Sequence, residues 1–270
     1  MKRIAAFVTA LIVLLSFAGC GRKGNTFMEH ASPGTSALAL YVYDGDTTTR
    51  GFLFDPAVER EILNDLARVS AKEAPEWSPA QITLPIYGLD IIDEDGWPIL
   101  AAWSNGYWIT QDGTAYHFDY DFEALEADYD WTSKDSWPSI SIMPCAYYLT
   151  KSDNGWNANI LSPAGEYFAA ENITAELVAQ TEESVTIALT NSGTEEWMYG
   201  EYYYLDVLLD GTWYSVPTAP GNWGFTDIGL ILPPKTTQEK TYNLTMYGEL
   251  PSGQYRLVAS QSVPVEFTIE

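Results

Sequence analysis

The chain has 270 residues, 46% of them hydrophobic and 14% aromatic, which excludes a disordered stalk and supports folded cores. Its 37 acidic residues against 13 basic ones give a formal charge of −24, so nucleic acid is excluded as a partner and anionic lipid is repelled by the folded body. The same balance favours a cationic partner or divalent ions.

In chain order, Lys2 and Arg3 form a short positive start, and residues 4–18 are an almost unbroken apolar run. That length suits the core of a cleavable signal peptide and falls short of the roughly 20 residues a permanent membrane helix needs. The run closes in Phe17-Ala18-Gly19-Cys20, with Leu14 and Leu15 just upstream. This ending resembles the lipobox of bacterial lipoproteins, in which small residues beside the cut leave the thiol open to acylation. The resemblance implies cleavage before Cys20 and a diacylglyceryl thioether on its sulfur. At roughly 0.8 kcal/mol per buried methylene, two chains anchor stably where one would not. Residues 1–19 are thus the expected leader, and residues 20–35 the lipidated cysteine with a polar, flexible spacer that includes Arg22, Lys23 and His30. The expected location is the extracytoplasmic face of a cell membrane, with the bilayer as partner through the lipid. Loss of Lys2 and Arg3 leaves 11 basic residues against 37 acidic ones, a balance of about −26 on the mature body.

Residues 36–140 predict an α+β domain, an antiparallel sheet with one helix on one face. Leu38, Leu40 and Val42 alternate along a strand over residues 37–43, and residues 51–54 read as its partner beyond an Asp44-Gly45-Asp46 turn. Asp55 suits a helix cap and Pro56 a first helical position, followed by Val58, Ile62, Leu66 and Val69 at helical spacing. Further strands are expected over residues 82–86, 99–103, 107–110 and 115–118, with hairpin signals at Asn105-Gly106 and Asp112-Gly113. Residues 141–171 carry turn signals and read as a hairpin with the connection between domains. Cys145 lies here and reads as a buried small apolar residue; with Cys20 consumed by lipid, no internal disulfide is possible.

Residues 172–270 read as short alternating strands at the spacing of an all-β, immunoglobulin-like sandwich. Val185, Ile187 and Leu189 share one face; a strand over residues 199–209 meets the hairpin dipeptide Asp210-Gly211; residues 213–216 return. Pro233-Pro234 stops the next segment, and strands are expected over residues 241–246 and 263–269. Tyr255, entering a strand just after a Pro/Gly turn, has the setting of a tyrosine corner. Tyr199-Gly200, the hairpin ending Asp210-Gly211-Thr212-Trp213, Leu232-Pro233-Pro234 and Gly253-Gln254-Tyr255-Arg256 together resemble a bacterial Ig-like domain, the family often numbered fourteen. That family, found in surface and secreted proteins of mostly Gram-positive bacteria, implies a structural or adhesive module and no catalytic residues.

Chemistry-bearing patterns are sparse. A nucleotide-binding glycine loop, a nucleophile elbow, a paired-cysteine zinc site and a His-Glu-x-x-His helix are all missing, so no catalytic residue, metal site or cofactor is expected. His117 sits in a predicted strand without an accompanying nucleophile. The acidic clusters Asp93-Glu94-Asp95-Gly96 and residues 119–130 invite a calcium reading, yet neither has the full ligand loop. Aromatic residues are the better clue, since seven of the ten tryptophans precede the Ig-like region. Trp97, Trp103, Tyr107 and Trp108 crowd two adjacent strands and form the candidate ligand platform. An exposed face would offer a platform to a sugar ring or peptide, whereas a face turned to the helix would be core. The expectation is a non-enzymatic binding or scaffolding module at the cell surface, with a protein or glycan partner. The alternative is a carboxylate-dependent cell-wall or glycan hydrolase, whose acid pair needs only two groups about 5 to 10 Å apart.

Overall fold

The computed structural model describes residues 38–270 apart from 93–97, 153–154, 169, 222 and 261. The readings made for the leader, Cys20, the spacer, His30 and the 93–97 cluster with Trp97 lie outside the described residues. The described residues are mostly β, with few helices.

The first region opens with β1 (Leu38–Tyr43) and β2 (Thr48–Leu53), followed by α1 (Pro56–Arg68). Asp55 caps α1 as its position suggests, its carboxylate accepting from Ala57 N at 2.8 Å and more weakly from Val58 N at 3.4 Å. Then come β3 (Lys72–Glu73), β4 (Ile86–Ile92), β5 (Pro98–Ser104), β6 (Tyr107–Thr110) and β7 (Ala115–His117). The strand expected over residues 82–86 starts only at Ile86, because Pro85 has no amide to give a ladder and Thr83 pairs instead with the Ser104 hydroxyl, which accepts from Thr83 N at 3.0 Å and donates to Thr83 O at 2.7 Å. Helix α2 (Phe122–Asp128) and β8 (Thr132–Trp137) complete an antiparallel sheet in the order β3-β7-β6-β5-β4-β1-β2-β8.

The single expected helix needs correction. Among the described residues there are three α-helices, α3 (Ala146–Thr150) being the last, and both faces of the sheet are covered. On one face α1 and α2 place Ile62, Leu66, Phe122 and Leu125 against Leu38, Leu40, Leu89 and Trp108. On the other face, the segment expected as a connection contributes Ile140, Met143, Cys145, Leu149 and Ile160 to a core with Tyr41, Ile86 and Ile109. Gly88 permits this closure, since a Cβ there would lie 2.6 Å from Met143 Sδ and 2.7 Å from Pro144 Cδ. The reason for the error is physical: turn residues in 141–171 mark where the chain bends, and say nothing about what its short apolar stretches cover. The short hairpin of β9 (Lys151–Ser152) and β10 (Gly155–Trp156) follows.

The second region is the sandwich. Strands β11 (Ile173–Gln180) and β12 (Ser184–Asn191) precede β13 (Trp197–Tyr199), β14 (Tyr203–Leu209) and β15 (Thr212–Ser215). After β16 (Leu230–Leu232) come β17 (Thr236–Asn243), β18 (Gly253–Ala259) and β19 (Val263–Ile269). Three sheets form, β11-β12-β17, β13-β16 and β15-β14-β18-β19. Their common core joins Val185, Ile187 and Leu189 to Leu205, Val207, Tyr255 and Phe267. Asp210 and Gly211 take φ of 48° and 81°, the conformation a two-residue hairpin demands. Two expected strands are corrected. The run 199–209 breaks at residues 200–202 into β13 and β14, which belong to different sheets, and residues 245–247 form a 3-10 turn after β17.

Candidate functional site

Among the described residues the aromatic platform does not form. Tyr107 and Trp108 are successive residues of β6 and so point to opposite faces of the sheet. Trp108 is fully buried under α2, its ring 4.8 Å from Phe118 and 5.9 Å from Phe122. Trp103, its cross-strand partner, packs 5.2 Å from Phe122 and donates Nε1–H to Phe118 O at 2.8 Å. Tyr107 lies on the other face, accepting from Gln81 Nε2 at 3.2 Å with its ring 5.1 Å from His117. These residues are core and rim of the first region, as large aromatics on a covered face must be.

The other chemical candidates settle into structural roles. His117 Nε2 lies 2.7 Å from Glu76 Oε1 at the sheet edge, both side chains half exposed. Asp121, within the acidic run 119–130, caps α2 by accepting from Ala124 N at 2.9 Å. Among the described residues no group of three or more His, Cys, Asp and Glu side chains is placed to hold a metal ion. Cys145 is buried, and burial pushes its thiol up to about 12, far from the reactive thiolate range. Among the described residues, no helix is long and apolar enough to cross a membrane.

Tyr255 is a tyrosine corner in full. Its phenol donates to Pro251 O at 2.6 Å and accepts from Trp156 Nε1 at 3.0 Å. Burial pushes this phenol up to about 12, against the opposing pull of the Trp156 bond. The corner thus does more than lock the crossover: Trp156 of β10 is tied to it, and Tyr147 of α3 packs edge-on to Trp156 at 6.1 Å. Residues 162–164 continue the link by pairing along β15, where Ser215 N donates to Ser162 O and Ala164 N to Trp213 O. Trp213 stacks on the outer face of its sheet beneath the Arg256 guanidinium at 4.5 Å. Arg256 in turn donates from Nε and Nη2 to buried Asp206 at 3.0 and 2.6 Å.

The feature the sequence reasoning missed lies at the far end of β18. There Met198 and Tyr199 of β13, residues 200–202 and 226–229, and Ser260 line an open recess of about 330 Å³. Of its lining, Met198 is 72% and Ile228 58% exposed; Ile231, 50% exposed, stands beside the recess as the cross-strand partner of Met198. A signal for this was present. Trp197-Met198-Tyr199 and Leu230-Ile231-Leu232 are each three consecutive apolar residues in a strand, and a period of two forces the middle one outward. A second, acidic recess of about 580 Å³ lies at the corner end, lined by Glu182, Glu183, Glu249 and Glu270.

Fold and geometry therefore define a β-rich protein that closes in an immunoglobulin-like sandwich with a tyrosine corner. In agreement, residues 169–268 match the family described as bacterial Ig-like domain. No curated protein and no solved structure is similar enough to the chain to count as a match.

Proposed function

We propose that the chain is a bacterial lipoprotein, tethered by lipid on Cys20 outside a membrane, that acts as a non-enzymatic binding or scaffolding module. The observation that carries this reading is the ending of the first apolar run in Ala18-Gly19-Cys20, followed by a polar spacer and, further on, an Ig-like sandwich. The bonds from Trp156 to Tyr255 and along β15 support the scaffolding part, since they tie the Ig-like domain to the region that precedes it. On this reading the first region, finer in detail an α+β layer, is the rigid mount that follows the spacer, and the sandwich is the contact surface.

The test is metabolic labelling with a fatty acid. The native chain is expected to incorporate label and to sediment with membranes, and Cys20→Ser to lose both. A native chain without label, or a Cys20→Ser chain held just as firmly, would remove the tether from the proposal. Glycan turnover by the native chain that one carboxylate substitution abolishes would remove its non-enzymatic part.

A further inference from the structure

We infer that the recess at the β13-β16 end of the sandwich is a docking site for a cationic, amphipathic polypeptide segment of a partner protein. The inference deepens the binding-module reading and rests on it.

Position comes first. The recess includes Ser260, which immediately follows β18, whereas the corner and its ties to the first region sit around Tyr255. Five residues of strand separate them, roughly 17 Å at about 3.3 Å per residue. The recess therefore lies at the opposite end of β18 from the attachment made through Trp156.

Its chemistry is apolar at the centre and anionic at the rim. Met198 and Ile228 are joined in the lining by Tyr202, which is 42% exposed, and Ile231 extends the patch beside Met198; such a cluster of large exposed apolar side chains is unusual for a surface that meets only water. Glu201 and Asp227 stand at the edge, with Thr226 Oγ1 donating to Glu201 Oε2 at 2.6 Å and holding that carboxylate in place. An apolar centre inside a polar rim is the anatomy of a protein interface.

Charge selects the occupant. Residues 169–268 carry thirteen acidic side chains and only three basic ones, Lys235, Lys240 and Arg256. The structure withdraws two of those three from the surface. Arg256 is bonded to Asp206, and Lys240 Nζ is shut between the rings of Tyr199 and Tyr242 at 5.2 and 5.1 Å, with burial holding its ammonium below the ordinary lysine range. Lys235 donates to Ser192 O. The sandwich thus meets a partner as an almost purely anionic surface, and a segment with Lys or Arg beside large apolar residues complements both centre and rim. A second copy of the chain would bring the same carboxylates to the same rim, and like charges there oppose self-association. A sugar is a poorer fit, because the centre is chiefly aliphatic.

The experiment uses the full chain in mild detergent and a labelled 12-residue synthetic peptide of alternating Leu and Lys. Two controls replace every Lys by Glu or every Leu by Ser. Fluorescence anisotropy should show saturable binding of the Leu/Lys peptide, with each control at least about tenfold weaker. The double variant Met198→Ser, Ile231→Ser should lose at least about tenfold in affinity. The near-isosteric pair Glu201→Gln, Asp227→Asn, which leaves the apolar centre intact, should lose about three- to tenfold and flatten the salt dependence. Equal binding by the Glu peptide, or undiminished binding by both variants, would overturn the inference. So would a concentration-dependent dimer in sedimentation velocity that Met198→Ser, Ile231→Ser abolishes, since a second copy would then be the occupant. Failure here is separable from failure of the tether: a lipidated chain that ignores the peptide loses only the recess, and an unlabelled chain that binds it loses only the anchor.

Discussion

Each half of the molecule sets an arginine between aromatic rings and opposite an aspartate on the neighbouring strand or segment, and the two pairs differ mainly in depth. Arg50 on β2 donates to Asp135 on β8 at 2.9 Å and lies over the rings of Phe52 and Trp137 at 4.7 and 4.9 Å. Arg256 on β18 reaches Asp206 on β14 and lies over Trp213 and Tyr167 at 4.5 and 5.2 Å. Side-chain exposure is 28% and 48% for the first pair, against 11% and 0% for the second. The outer pair fastens an edge strand in water, where attraction is screened. The inner pair holds two central strands and the covering segment of Tyr167 together, where each charge depends on the other.

Breaking the inner pair should have the largest effect. Arg256→Leu leaves the Asp206 carboxylate buried without its partner, and a loss of about 3 to 5 kcal/mol in chemical denaturation is expected. Asp206 is already raised above the ordinary carboxylate range, chiefly by burial, with the Arg256 bonds pulling the other way. In the variant burial is opposed only by the long Ser215 Oγ bond at 3.5 Å, so the folded chain holds the proton more tightly than the unfolded one. Its stability should therefore be greatest at acid pH and decline as pH rises through the carboxylate range. A variant that is uniformly weakened at all pH values would show that the burial of Asp206 is not what matters.

Next comes the corner. Tyr255→Phe removes the bond to Pro251 O and leaves Trp156 Nε1 without its acceptor, for an expected loss of about 1 to 3 kcal/mol at neutral pH. The phenol is raised from 10.0 to about 12, so its contribution is complete below pH 10 and is lost as pH climbs towards 12. The alkaline decline in stability should be shallower in Tyr255→Phe than in the native chain. Identical alkaline profiles would sink the assignment of that decline to this corner.

Breaking the outer pair sharpens the contrast from the other side. Arg50→Leu should cost about 1 kcal/mol, the sum of a screened ion pair and partly exposed ring contacts. Moderate salt should weaken the native pair and so narrow the gap between native and variant, whereas the gap for Arg256→Leu should hardly respond. The smallest expected effect is a null result: iodoacetamide at pH 8 should leave Cys145 unmodified in the folded chain while labelling it fully in denaturant, because burial keeps the thiol protonated. Rapid labelling of the folded chain would mean that the segment over residues 140–160 opens from the sheet.

Much of the local structure was legible along the chain. Asp55-Pro56 marked the start of α1, Asp210-Gly211 marked a hairpin, and Tyr255 after Pro251 and Gly253 marked the corner, because each depends on residues within a few positions of one another. Whether the candidate platform was exposed or core was not legible, for the opposite reason. Alternation along β5 and β6 shows that Trp103 and Trp108 share a face, yet only the packing of α2, through Phe122, decides that this face is covered.

The sequence by itself thus determined the leader-like start, the turns, the alternation of the strands and the Ig-like character of the last hundred or so residues, all written in short-range spacing. Tertiary structure alone decided that residues 140–160 cover a sheet face, that Asp206 meets Arg256 across 50 positions, and that Met198 and Ile231 stand side by side in the open. A chain states which of its residues point the same way, because backbone geometry repeats every two or 3.6 residues. What lies opposite them is set by contacts between distant segments, and no local period encodes those.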